Sequence, residues 1–302
     1  MATSLTSEDL ETLLTSWELA LSAERKSPQT IKSYGDGIRG YIRWCQETSR
    51  EADLSRDSVR AFVNHLLDAG AAPATAKSRQ LALRRLSAWL LEEDEIPADA
   101  LAGMKPPKID KTIIDPLTDD QLRALIKACA GTDLRDRRDE AIVRFMFETG
   151  ARAGEVVALT LDDLDLKAGT AIIRRGKGGK GRIVPFGSET GLAIDRYIRR
   201  ARSRHSRASS PALWLGERGR GFTYGALNRT LKLRAERAGI ANFHPHRMRH
   251  TAAHRWLAAG GSEGGLMTVA GWSSPDMLMR YTAARAADRA NAEAKGLNLG
   301  EL

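Results

Sequence analysis

The chain has 302 residues, 42% of them hydrophobic, enough for two ordinary domains that each bury a core. No window approaches the roughly 20 apolar residues of a membrane span, and no charged start leads into an apolar secretion signal, so a soluble cytoplasmic protein is expected. Cys45 and Cys129 stand far apart without a CxxC neighbour, which argues against a disulfide framework and a thiolate metal site.

The net charge of +9 is unevenly placed. From Lys167 to Gly260 there are 21 Lys and Arg against 4 Asp and Glu, a surplus of +17, while the rest of the chain carries −8. So dense a basic region, with few acids to neutralise it, is the footprint of a protein that faces a polyanion such as a phosphate backbone.

In chain order, the first hundred residues read as four amphipathic helices. The second opens at SPQTIKSY, where Ser27 caps and Pro28 takes the first helical position; its apolar face is Ile31, Tyr34, Ile38, Tyr41 and Ile42. A third runs from about Arg56 to Ala69 and stops at Gly70. The fourth, Ala74 to about Glu93, turns Leu83, Leu86 and Leu90 inward and leaves Lys77, Arg84 and Arg85 to solvent or to a duplex. Between Ile96 and Pro116 four prolines alternate with Lys105, Lys108 and Lys111, a composition that breaks helix and predicts an extended basic linker.

A second domain opens at LTDDQL, where Thr118 and Gln121 fit a capping box. A further helix spans about Arg135 to Glu148 and ends at Gly150. The run AGTAIIRRGKGGKGRIVPF predicts two short strands around a glycine-rich turn, with Lys177 near the tip. Helices return after Ser188 and continue at Thr223 to Ala238, His246 to Ala259 and Pro275 to Ala287. The expected fold is therefore mostly α: a helical bundle followed by a mixed α/β domain with one small antiparallel sheet.

Several residues of the second domain suit phosphate chemistry. Arg152 follows Gly150 at a helix start, with Glu155 three residues on to hold its guanidinium. The GKGGKGR turn lacks the Ser or Thr and the following helix of a nucleotide-cradling loop, so nucleotide hydrolysis is not expected. Its Lys177 suits a phosphate contact or proton donation to an alkoxide, with Lys180 and Arg182 as backbone contacts. In FHPHRMRHTAAHRW, His246, His250 and His254 share a helical face, yet the interleaved Arg247, Arg249 and Arg255 argue for an anion rather than a metal. His246 and Arg249 lie one turn apart near that helix's start, where the dipole also favours phosphate. Tyr281, nine residues after Trp272 and beside Arg280, is a candidate nucleophile.

The ordered series TGAR, GKGGKGR, HRMRHT, GWSS and RYT resembles the tyrosine recombinase, or phage integrase, family, and resembles in particular the simple two-domain Xer-like recombinases and integrases. The N-terminal bundle with SPQTIKSY resembles that family's SAM-like core-binding domain, so the resemblance covers nearly the whole chain. It implies domains at 1–96 (core-type DNA binding), 97–115 (linker) and 116–284 (catalysis), with 285–302 a tail that docks on a neighbouring subunit.

The resemblance further implies a site-specific DNA recombinase. Tyr281 would attack a scissile phosphodiester and leave a 3′-phosphotyrosyl link, while Arg152 and Arg249 clamp the nonbridging oxygens in place of a metal and Lys177 protonates the departing 5′-oxygen. His246 would assist proton transfer at the nucleophile or hydrogen-bond the phosphate, and Glu155 and His250 would orient the arginines. Trp272 departs from the commoner histidine; an indole donates one hydrogen bond and cannot shuttle protons, so packing and phosphate contact both stay open. A further departure is GGSEGG, 260–265, expected to loosen the path to the tyrosine helix.

No cofactor and no metal are expected. The expected partners are double-stranded DNA with inverted core sites and three further copies of the chain, exchanging strands through a Holliday junction to integrate, excise or resolve a mobile element or replicon; with the core-binding domain expected to start near residue 5, an additional arm-binding domain is not expected. The enzyme would be cytoplasmic, associated with the nucleoid through DNA. The alternatives are a relaxing type IB topoisomerase and a noncatalytic DNA-binding protein of the same fold.

Overall fold

The computed structural model describes residues 6–109, 114–174, 181–217, 219–272, Ser274 and Leu278. Two compact units divide the chain, residues 1–112 and 113–302. Among the described residues, no helix is long and apolar enough to cross a membrane.

The first unit is a four-helix bundle: α1 (Ser7–Ala23), α2 (Pro28–Glu47), α3 (Arg56–Asp68) and α4 (Pro73–Glu92). Local chemistry sets the starts. Thr6 and Asp9 close a capping box on α1, Ser27 accepts from the Thr30 amide ahead of Pro28, and Ser55 accepts from the Ser58 amide. The buried faces of α1, α2 and α4 meet in one core through Leu14, Trp17, Ile38, Tyr41, Leu83 and Leu86, with Trp17 stacked on Tyr34.

That core reaches further than helix periodicity predicts. Leu101 and Met104, within the proline-rich stretch, are buried in it, and the Arg56 and Gln80 side chains donate to the Ala100, Ala102 and Lys105 carbonyls. The first part of the expected linker is thus fastened to the bundle, because two apolar anchors suffice to fold a non-helical segment back. Residues 110–113 lie outside the described residues.

Among the described residues the second unit packs helices and a small sheet: α5 (Asp119–Lys127), α6 (Leu134–Thr149), α7 (Ala153–Val157), then strands β1 (Leu164–Asp165), β2 (Thr170–Ile173) and β3 (Arg182–Pro185), followed by α8 (Ser188–Arg200), α9 (Tyr224–Arg237), α10 (Pro245–Ala258) and α11 (Glu263–Ala270). The sheet is antiparallel with order β1-β2-β3. Edge strand β1, which the predicted pair of strands did not include, is only two residues long and leaves no alternation to read. In the β2–β3 ladder Ala171 faces Val184 and Ile173 faces Arg182, and these residues share the inward face; Ile172 and Ile183 form the outward pair.

Beneath the sheet α6 is central, burying Ile142, Phe145 and Met146 against Val184, Ile194 and Met248. Its first half also carries a buried ionic knot. Asp139, fully buried, accepts from Arg138 at 2.8 and 3.0 Å and from Arg234 of α9 at 2.9 Å; Arg234 continues to Asp136 and the Ala128 carbonyl. Both Asp139 oxygens have a guanidinium partner, the condition under which a buried charge is tolerated.

The GGSEGG segment differs from expectation. Gly260 closes α10, the Ser262 hydroxyl caps the Gly265 amide, and α11 begins at Glu263. A side chain on Gly261 would meet the Trp256 ring at 2.3 Å, and Trp256 donates to the Ser262 carbonyl at 2.9 Å. Gly261 and Gly265 thus permit close packing against Trp256 at a capped helix start, whereas Gly260 and Gly264 meet nothing within 4 Å.

Candidate active site

The site is built where three helix ends meet β3. Helix α6 ends at Gly150 in the left-handed conformation, and Arg152 then stands at the start of α7. Glu155, three residues on and 8% exposed, accepts the Arg152 backbone amide on Oε2 and the Arg152 guanidinium on Oε1, both at 2.8 Å. The expected Arg152–Glu155 pairing therefore holds.

Arg182 takes a place other than the one expected. As a DNA-backbone contact it would lie open to solvent; instead its side chain is 8% exposed and binds Glu155 with both terminal nitrogens, at 3.0 and 2.8 Å, while its Nε donates to the Val269 carbonyl at 2.7 Å. The cause is strand alternation: Arg182 shares the inward face with Val184. Burial by itself pushes the Glu155 carboxyl up, but the hydrogen bonds from Arg182 and from Arg152, with the charge of Arg182, outweigh it and hold the group below the usual carboxylate range.

Arg249, from the second turn of α10, is 2% exposed. It donates to the Gly150 carbonyl at the end of α6 and to the Ala270 carbonyl at the end of α11, each at 2.7 Å. The α11 terminus is completely accounted for. Gly271 and Trp272 form a Schellman turn, donating to the Thr268 and Met267 carbonyls, and Arg182 and Arg249 take the remaining two, Val269 and Ala270. Two cations at a helix C-terminus also complement its dipole.

Trp272 is buried with Ala253, Leu266, Ala270 and Leu278, and the Arg249 guanidinium carbon lies 5.3 Å from its ring centroid, within cation–π range. Its packing is thereby explained. His246 is exposed in the first turn of α10, and His250, half-buried one turn on, meets it edge to face at 4.8 Å between centroids. At the cap of the same helix, burial and the charges of Arg247 and Lys232 push the His244 imidazole down. Among the described residues, no group of three or more His, Cys, Asp or Glu is arranged to hold a metal.

The structure thus brings Arg152, Glu155, Arg249 and Trp272 together, with His246 and His250 on the helix that supplies Arg249. Lys177, Lys180 and Tyr281 lie outside the described residues. On α4 of the first unit Lys77 and Arg85 are exposed and Arg84 is half-buried.

Known proteins resemble this chain in sequence and fold. Residues 116–288 match the phage integrase family, and residues 14–94 match the phage integrase N-terminal SAM-like domain. The chain belongs to the phage integrase family. It is a tyrosine recombinase, an enzyme that transfers DNA strands. It is similar to tyrosine recombinase XerD of Corynebacterium glutamicum, 32% identical over 282 residues, which span 89% of this chain and 92% of that relative. Among solved structures, the Tn1549 transposon integrase in complex with transposon right end DNA shares the fold at a TM-score of 0.70 and 20% identity, over 95% of this chain and 99% of that one. A lambda integrase tetramer bound to a Holliday junction does so at 0.68 and 17%, over 88% and 77%.

Proposed function

We propose that this recombinase cleaves DNA at a specific site through Tyr281 and rejoins the strand to a new partner. The tyrosine oxygen bonds to phosphorus as the P–O5′ bond breaks; the 3′-phosphate stays on the protein and Lys177 gives its proton to the departing 5′-oxygen. His246 takes part in removing the tyrosine proton or hydrogen-bonds the phosphate. The phosphotyrosyl link conserves the bond energy, so rejoining needs no nucleotide hydrolysis.

The observation that carries the reading is the mounting of the two arginines. Arg152 is fixed by a buried carboxylate, and Arg249 by the carbonyl ends of two helices, one of which lies two residues before Arg152. Guanidiniums locked before substrate arrives suit a phosphorane whose charge grows in the transition state, because no reorganisation is needed at that moment. The N-terminal turn of α10, which no side chain caps at His244, adds a second element favourable to an anion.

On this reading Lys77, Arg84 and Arg85 in the first unit and Lys180 in the second contact DNA, and the units 1–96 and 116–284, joined through 97–115, hold a duplex with inverted core sites. Four copies, linked through residues 285–302, exchange strands through a Holliday junction; the lambda integrase likeness supports this assembly. The test is a duplex nicked beside the cleavage site, from which a short product diffuses away and traps the covalent complex. Wild type accumulates the adduct, and an adduct that persists in Tyr281→Phe rejects the nucleophile assignment.

A further inference from the structure

We infer that Arg182 is a positioning residue of strand transfer, acting through Glu155 to hold Arg152; the inference rests on the reading of Arg152 as a phosphate clamp. Three segments meet on this side chain. It comes from β3, binds Glu155 of α7 in bidentate fashion at 3.0 and 2.8 Å, and donates Nε to Val269 at the end of α11 at 2.7 Å. Its own side chain is 8% exposed, so its charge is turned wholly into the protein.

Geometry leaves Glu155 dependent on it. The carboxylate receives four N–H groups, two from Arg152 and two from Arg182. Without Arg182, Glu155 keeps one side of its partners and can rotate about its last torsion, taking the Arg152 guanidinium with it. The surroundings fit the arginine closely. Gly271, in the left-handed conformation at φ +63°, lies against it, and a Cβ there would come within 3.1 Å of the Arg182 Cδ and Nε. The fork of Arg, rather than a point charge, is what this site accepts. The same contact ties the end of α11, and hence the approach to Trp272, to the carboxylate that holds Arg152.

The experiment compares Arg182→Met, Arg152→Ala and the double variant in single-turnover cleavage of the nicked duplex, on a normal phosphodiester and on one whose nonbridging oxygen is replaced by methyl. The methyl substrate carries no charge, so it has little need of a guanidinium clamp. Arg182→Met is expected to bind duplex within about 3-fold of wild type and to cleave the normal substrate about 10²-fold more slowly. The defect should shrink to under about 10-fold on the neutral substrate, and adding it to Arg152→Ala should cost nothing more, since the two act as a unit. A defect equal on both substrates, or one that multiplies with that of Arg152→Ala, overturns the inference by marking general damage. If Arg182→Met melts below the assay temperature, Arg182→Lys is read instead, with the same pattern required. A normal Arg152→Ala would instead refute the clamp reading itself.

Discussion

Replacing Glu155 by glutamine tests how the site is held together. The carboxylate accepts four N–H groups, two of them on each oxygen, from Arg152 and Arg182. A glutamine amide offers one oxygen and turns its NH₂ toward a guanidinium. The helix cap on the Arg152 amide can survive, because glutamine also serves in a capping box, but at least two charge-assisted bonds are lost. At about 1.5–3 kcal/mol each, with the group buried, the cost is about 3–5 kcal/mol, the same size as breaking a buried ion pair by removing one partner.

The pH dependence has a definite sign. Glu155 titrates below its unfolded value, so its contribution is present in full above the ordinary carboxylate range and is lost as pH falls through its folded pKa. Urea unfolding of wild type and Glu155→Gln at pH 7 and at acid pH is the assay. The gap between the two proteins should be about 3–5 kcal/mol at neutral pH and should narrow below about pH 4, where the unfolded carboxyl begins to bind its proton. A gap under about 1 kcal/mol at pH 7, or one that stays constant into acid, would refute the reasoning.

Three other outcomes are expected. Asp139→Asn removes the charge between the buried Arg138 and Arg234 guanidiniums and should destabilise the second unit by about 3–5 kcal/mol, read as a lower urea midpoint; a loss under about 1 kcal/mol contradicts the knot's role. Trp272→Phe keeps an aromatic ring beside Arg249 and should cleave within a few-fold of wild type, whereas Trp272→Ala opens a cavity costing about 3–5 kcal/mol in thermal unfolding. A folded Trp272→Phe that loses about 100-fold in cleavage would instead assign the indole N–H to the reaction. Arg249→Ala should still bind duplex in a mobility-shift assay yet cleave about 10²–10³-fold more slowly, since a clamp acts on the transition state; unchanged cleavage removes Arg249 from the site.

Much of this fold was legible because local rules agree with one another. Ser27 before Pro28, Thr118 with Gln121 and the terminal Gly150 each mark a boundary by a mechanism that needs no tertiary contact. What escaped depends on partners distant in sequence. Leu101 and Met104 anchor a proline-rich stretch only because a bundle is there to receive them. Helix α11 begins through glycines, whose low propensity hides a start that Ser262 caps and Trp256 fits.

Within the site, the order of Arg152, His246, Arg249 and Trp272 could be read, but not what holds them. Arg249 is fixed by backbone carbonyls, which have no sequence signature. Arg182 had a signal that charge counting obscured: strand alternation puts it on the face of Val184, whose burial obliges the arginine to turn inward while Ile183 faces out. The pattern of two, applied ahead of the charge, would have placed it correctly.

The most direct measurement is to locate the DNA on the protein. The covalent complex trapped on the nicked duplex can be digested with nuclease and trypsin and the modified peptide sequenced by mass spectrometry. The account predicts a 3′-linked nucleotide on Tyr281 and on no other residue. A nucleotide on a different side chain, or a cleaved duplex with no protein attached, contradicts it.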